Sequence, residues 1–234
     1  MQIFYAPLLT GDTYILDETE SKHCIKVLRM GKGEKVNLID GKGNLFEGYV
    51  SNPDSRRCGI SITRKIIEYE KRDYNLHIAI SPLKNPERFE LFVEKSVELG
   101  IDEITPLICN HTEKKNIKAE RVEKVIISAM KQSLKALKTR LNDPISFNEF
   151  VKKEYSGKKI IAHCNDVPGK KSISEVYERG ENVLILIGPE GDFSEDEINL
   201  SKLHGFISIH LGASRLRTET AGIAACHSIY FINQ

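Results

Sequence analysis

Ile187-Gly188-Pro189-Glu190-Gly191-Asp192-Phe193-Ser194 closes an unbroken apolar run that begins at Val183. A short, wholly apolar run bounded by turn residues reads as a strand buried on both faces, the kind found in parallel sheets. Ser194 and Glu197 form a capping-box pair, which predicts a helix over residues 194–204, and Gly205 stands just past its end. The segment is therefore a strand, a glycine loop and a capped helix. Gly188 and Gly191 let backbone approach a ligand, and ligands of open α/β sheets bind at the carboxyl ends of strands. The spacing is neither the dinucleotide GxGxxG nor the phosphate-loop GxxxxGK[ST]. Taken alone, it is equally a structural turn.

A second loop of the same kind follows, Leu211-Gly212-Ala213-Ser214-Arg215-Leu216-Arg217-Thr218-Glu219-Thr220-Ala221, between a strand at 207–211 and a helix at 219–231. Two arginines and an acid exceed what a turn requires, although Thr218 as cap with Glu219 in the first turn would be the plain structural account. Working backward, strands are expected at 159–163, 103–107 and 76–81. Helices are expected at 172–179, at 118–138 with one apolar face, and from Asn85-Pro86-Glu87 to Gly100. Alternation of strand and helix from residue 74 to 234 predicts an α/β domain around a mostly parallel sheet.

The first 70 residues read differently. Alternating runs at 13–16, 35–39, 45–50 and 59–67 are punctuated by Gly31, Gly33, Gly41, Gly43 and Asn52-Pro53-Asp54, with one helix at 18–30. A small β-barrel domain over 1–70 is expected, then a charged linker, Glu68-Tyr69-Glu70-Lys71-Arg72-Asp73, ahead of the α/β domain at 74–234.

Composition narrows the classes. The 234 residues are 40% hydrophobic and 29% charged, with a net charge of +1, so the chain is globular and any basic surface is local. Residues 111–140 are such a place: Lys114, Lys115, Lys118, Arg121, Lys124, Lys131, Lys135, Lys138 and Arg140 outnumber their acidic neighbours, as a solvated helix face or as an RNA-backbone contact. Neither a signal peptide nor a membrane span is legible. Five scattered cysteines without CxxC spacing fit reduced thiols. His23-Cys24, Cys109 with His111, His163-Cys164 and Cys226-His227 lack the repeated short spacing of zinc ligands, so no metal is expected.

The two loops, in this order, together with Val27-Leu28-Arg29-Met30-Gly31-Lys32-Gly33-Glu34, Lys95-Ser96-Val97-Glu98-Leu99-Gly100-Ile101, Thr105-Pro106-Leu107 and Gln132-Ser133, resemble the ribosomal RNA small subunit methyltransferase E family, a branch of the SPOUT methyltransferases. The resemblance spans nearly the whole chain; Ile187–Gly191 and Leu216–Ala221 carry its most specific strings. It implies a PUA-like, RNA-binding β-barrel followed by a trefoil-knotted SPOUT α/β domain, working as a cytoplasmic homodimer. It implies S-adenosyl-L-methionine as cofactor, without metal, held by Ala162 and His163, by Ile187, Gly188, Pro189, Glu190 and Gly191, and by Leu211, Gly212, Leu216 and Arg217. The implied reaction methylates N3 of one uridine in the decoding region of 16S rRNA in the small ribosomal subunit. Uracil N3 must lose a proton, so Arg217 is expected to stabilise the developing anion and Glu190 or Glu219 to accept the proton. RNA contacts are expected at Lys26, Arg29 and Arg88.

The chain departs from the family pattern at three points. Asp192 stands where the family has a second loop glycine, Arg215 lies one place after the usual arginine position, now Ser214, and no arginine neighbours Phe4-Tyr5. Two rival classes remain: a SPOUT enzyme acting on a ribose 2′-hydroxyl, disfavoured by the N-terminal domain, and a non-catalytic RNA-binding relative, disfavoured by intact cofactor loops.

Overall fold

The computed structural model describes residues 2–165 and 169–234; Met1, at the head of the expected barrel, and 166–168, within the expected α/β domain, lie outside the described residues. The chain divides into two compact units, one of Met1–Lys71 with Ile127–Lys138, the other of Arg72–Ile126 with Thr139–Gln234. The sequence reading broke the chain near residue 70 but left Ile127–Lys138 wholly in the second domain.

In the first unit the elements are β1 (Ile3–Tyr5), β2 (Thr13–Ile15), α1 (Glu18–Lys22), β3 (Lys35–Ile39), β4 (Leu45–Asn52) and β5 (Gly59–Ile66). They make a five-stranded sheet ordered β1-β3-β4-β5-β2, in which only β1 and β3 run parallel. Phe4, Leu16, Cys24, Leu38, Val50, Cys58 and Ile60 form its core. The helix expected over 18–30 is shorter. After Lys22 the chain widens into a π-helical turn, His23–Val27, which turns Cys24 into the core and leaves Val27 66% exposed.

The second unit continues with β6 (Leu76–Ile80), α2 (Pro86–Leu99), β7 (Glu103–Ile108), α3 (Ala119–Gln132), β8 (Arg140–Leu141), β9 (Ile145–Ser146), α4 (Phe147–Phe150), β10 (Lys158–Ala162), α5 (Ile173–Val176), β11 (Val183–Ile187), α6 (Glu195–Leu203), β12 (Ile207–Ile209) and α7 (Thr218–Ile232). α3 carries the chain out of this unit, its last residues clustering with the first. The sheet order is β12-β10-β11-β6-β7-β8, with β9 also on β7, and every pairing is parallel. The helix expected over 118–138 stops at Gln132. Leu134 takes φ 61, and Lys135 N donates to Met130 O while Leu134 N donates to Lys131 O. That is a Schellman stop with leucine in the position usually held by glycine. The apolar spacing continues past it because Leu137 instead bridges to Gly41 and Lys42.

α7 packs on α2 through matching stripes: Gly222, Ala225, Cys226 and Ile229 against Phe89, Phe92, Val93 and Val97. At Asn85 and Gly100, α2 has the cap and the left-handed stop that its sequence predicts. β8, β9 and α4 had no forecast; two-residue strands carry no periodicity to read. Among the described residues no helix is long and apolar enough to cross a membrane.

Candidate active site

Register builds the site first. Ile209, Ala162, Ile187, Ile80 and Pro106 lie in one row across β12, β10, β11, β6 and β7. The loops after Ala162, Ile187 and Ile209 therefore leave the sheet at one level on three adjacent strands. The expected cofactor residues Ala162, His163, Ile187–Gly191, Leu211, Gly212, Leu216 and Arg217 all belong to these loops or to the last strand residues before them.

The loop after β11 is tightly tied. Asp192 N donates to Pro189 O at 2.9 Å, and Asp192 has φ 62. Its carboxylate accepts from Phe193 N at 2.8 Å and from Cys164 N, in the loop after β10, at 2.7 Å. His111 Nδ1 lies 3.1 Å from Gly191 O and 2.9 Å from Asp192 O. Ser194 and Glu197 form the expected capping box. Gly188 and Pro189 are buried, and Glu190 is exposed, with Oε1 accepting from Lys84 N at 3.3 Å. A Cβ on Gly188 would stand 3.1 Å from the Phe193 ring, and one on Gly191 would stand 3.1 Å from His111 Cβ. A valine at 188 would thus disturb the core around Phe193 as well as any ligand.

The third loop is open. Gly212 has φ 107, and its amide donates to His210 Nδ1 at 3.2 Å. Residues 212–215 are exposed, Leu211 and Leu216 partly so. Arg217, not Thr218, occupies the cap position of α7; it is exposed and makes no side-chain capping bond. The first amides of α7 are thus left to other partners, with the positive end of the helix dipole behind them. Glu219 is 6% exposed and lies 3.8 Å from Arg88 Nε on α2. Arg88, expected to contact RNA, is thereby joined to the expected acid. Lys26 and Arg29 belong to the first unit, where both are exposed and Arg29 has φ 56.

His163 is the buried polar group that asks for a ligand. It is 6% exposed, and neither ring nitrogen finds a hydrogen-bond partner among the described residues. Burial, helped by the Lys170 ammonium, lowers its pKa to about 4. A neutral imidazole offers one donor and one acceptor. The open backbone around Gly212, where a Cβ would meet nothing within 4 Å, and this unpaired ring fit a cofactor carrying an adenine, a ribose and an amino-acid end. The unfolded chain takes up the proton near the ordinary value of 6.5 and the fold resists it until about 4, so stability is lost as pH falls through that window. Burial lowers the pKa of His77 too. Urea midpoints measured from about pH 7 to 4 should fall, and His163→Asn should flatten the fall.

His111, Asp192 and Cys164 escaped the sequence reading as a group. His111 and Cys164 are visible only as Cys/His neighbours and Asp192 only as a missing glycine. Their meeting is non-local. A cavity of about 600 Å³ lies elsewhere, at the amino ends of β6, β7 and β11. There His77, Thr105, Asn142, Glu103 and Arg140 satisfy one another, which makes it a structural polar network. Among the described residues no group of three or more His, Cys, Asp or Glu is placed to hold a metal.

Residues 70–230 match the family model of an RNA methyltransferase domain, and residues 16–62 that of an RNA methyltransferase PUA domain. A ribosomal RNA small subunit methyltransferase E from Buchnera aphidicola subsp. Schizaphis graminum is 31% identical over 90% of this chain and 87% of its own. The crystal structure of a probable rRNA-methyltransferase from Porphyromonas gingivalis is 39% identical, covers 100% of this chain and 98% of its own, and superposes with a TM-score of 0.94. A ribosomal RNA small subunit methyltransferase E from Neisseria gonorrhoeae, bound to S-adenosyl methionine, is 26% identical over 99% of this chain and 98% of its own, with a TM-score of 0.88.

Proposed function

Since the chain belongs to the ribosomal RNA small subunit methyltransferase E family, we propose that it methylates N3 of one uridine in the decoding region of 16S rRNA. It is an S-adenosylmethionine-dependent rRNA methyltransferase. The observation that carries the reading is the shared row of Ala162, Ile187 and Ile209, which brings three loops to one edge of the sheet. When bound, S-adenosylmethionine supplies an electrophilic methyl on a sulfonium whose departure as a neutral thioether needs no acid. The protein's task is the nucleophile. Arg217, exposed at the head of α7, holds the ring oxygens as N3 loses its proton. Glu219 is buried and paired with Arg88, so Glu190, exposed beside the same loops, is the carboxylate that takes the proton, directly or through water.

The chain order supports a trefoil knot. β12 pairs outside β10, Lys171 bridges to Ile209, and the chain then returns as α7 to pack against α2, β6 and β11. A homodimer is supported by α7's outer face, where Phe231 is 70% exposed and stacks on the exposed His227. The reading places the enzyme in the bacterial cytoplasm with the small subunit as substrate. The first unit, residues 1–71 with 127–138, is its RNA grip and the second, 72–126 with 139–234, its catalytic domain; Lys26, Arg29 and the free face of Arg88 are the proposed RNA contacts.

Mass spectrometry of 16S rRNA from a strain lacking this protein tests the proposal. One base-methylated uridine should vanish and return on complementation; an unchanged methylation map, or loss of a 2′-O-methyl group instead, refutes it. Arg29→Ala should weaken RNA binding and reduce the slope of log affinity against log salt by about one, a single phosphate contact. Titrations at several ionic strengths would show it.

A further inference from the structure

Asp192 sits in a conformation that favours glycine, and its side chain gives a reason for its presence. A left-handed backbone is unfavourable for a residue with a Cβ, somewhat less so for aspartate. Here φ is 62. In exchange, one carboxylate oxygen accepts from Phe193 N at 2.8 Å and the other from Cys164 N at 2.7 Å. Bonds from backbone amides to a carboxylate are charge-assisted and short. The second spans 28 positions of sequence and joins the loop after β10 to the loop after β11.

His111 fastens the same turn from the other side. Its Nδ1 lies within reach of the carbonyls of Gly191 and Asp192. Carbonyls only accept, so Nδ1 carries the proton and donates. The pairing of β10 with β11 fixes the two chains as far as Ala162 and Ile187; beyond that row they part, and the ladder no longer sets their spacing. Cys164 and Asp192 lie beyond it.

We infer that Asp192, with His111 behind it, is a positioning residue that holds two cofactor loops at a fixed separation before S-adenosylmethionine arrives. The inference rests on the methyltransferase reading above. Both carboxylate oxygens are engaged, so Asp192 is not a candidate for the proton acceptor. Loops already ordered lose less freedom on binding, and the gain goes to affinity rather than to the chemical step.

Three variants of the full-length protein separate a tie from a mere turn. Asp192→Gly relieves the left-handed backbone but removes the cross-loop bond. Asp192→Ala removes the bond and keeps the backbone cost. Asp192→Asn keeps an oxygen that accepts from the Cys164 amide. Calorimetry with S-adenosylhomocysteine should give affinities about tenfold weaker for the glycine and alanine variants. The asparagine variant should recover most of the loss. In steady-state assays the KM for S-adenosylmethionine should rise while kcat at saturation stays within about twofold. A glycine variant that binds as well as the parent, or better, overturns the inference, since backbone conformation alone would then account for the residue. A parent that does not bind S-adenosylhomocysteine overturns the methyltransferase reading and this inference with it. Hydrogen exchange on the cofactor-free parent is independent of any variant's folding. The Cys164 amide should be protected, and exchange at the rate of an open loop would count decisively against the tie.

Discussion

Arg217→Ala is expected to lower turnover on rRNA by on the order of a hundredfold, with affinity for S-adenosylhomocysteine changed by no more than about threefold. The guanidinium keeps its charge at any working pH and presents its donors in a planar fork. As N3 of uracil is deprotonated, charge spreads to the two flanking oxygens, and a fixed cation there stabilises that state more than the neutral ring. Arg217→Lys should recover little, because an ammonium is a point charge without the fork. The structure weakens the plainer alternative, that Arg217 is held by Glu219. Glu219 is buried and lies beside Arg88, while Arg217 is exposed and makes no side-chain capping bond. Turnover, calorimetry and size-exclusion chromatography on both variants decide the matter. Parent-like turnover removes Arg217 from the chemistry, and dissociation into monomers would assign it to the dimer instead.

Gly222→Val is expected to cost about 3 kcal/mol of stability and to lower the melting temperature by roughly 10 °C. Two effects compete. Replacing a glycine inside α7 improves helix propensity by less than about 1 kcal/mol. Against this, a Cβ at 222 would stand 2.6 Å from the Phe92 ring and 3.0 Å from Ile80 Cδ1, and both of those residues are fully buried. Neither can move outward, and the branched side chain adds two more methyls to a filled space, so overpacking wins. Gly222→Ala should show the same sign at smaller size. Because α7 carries Arg217 and Glu219 at its head, the valine variant should also lose activity, and lose it faster on warming. Calorimetric melting and activity-decay curves measure both; a valine variant as stable as the parent would mean that α2 and α7 are not in the close contact described.

Much of this protein is settled by local sequence. Val183–Ile187 is apolar throughout because a strand flanked by parallel neighbours has no wet face. Asn85, Ser194 and Gly100 mark helix ends because capping is decided by side chains within one turn. The loop Gly188–Gly191 could therefore be placed at a strand end, and its partner loop before α7, from the chain alone.

The tertiary structure decided everything that depends on which distant segments meet. Strand order put β12 and β11 on either side of β10, and only that order gathers the three loops. α3 ended at Gln132 although its apolar spacing continued, because Leu137 found a partner at Gly41. The same holds for Cys24, turned inward by a π-helical turn beside Cys58, for Glu219 with Arg88, and for Asp192 with Cys164 and His111. Each of these contacts closes a long loop, and its free energy comes from burial and hydrogen bonds between residues far apart in sequence. Propensity and periodicity act over a single element, so they carry no information about such pairs.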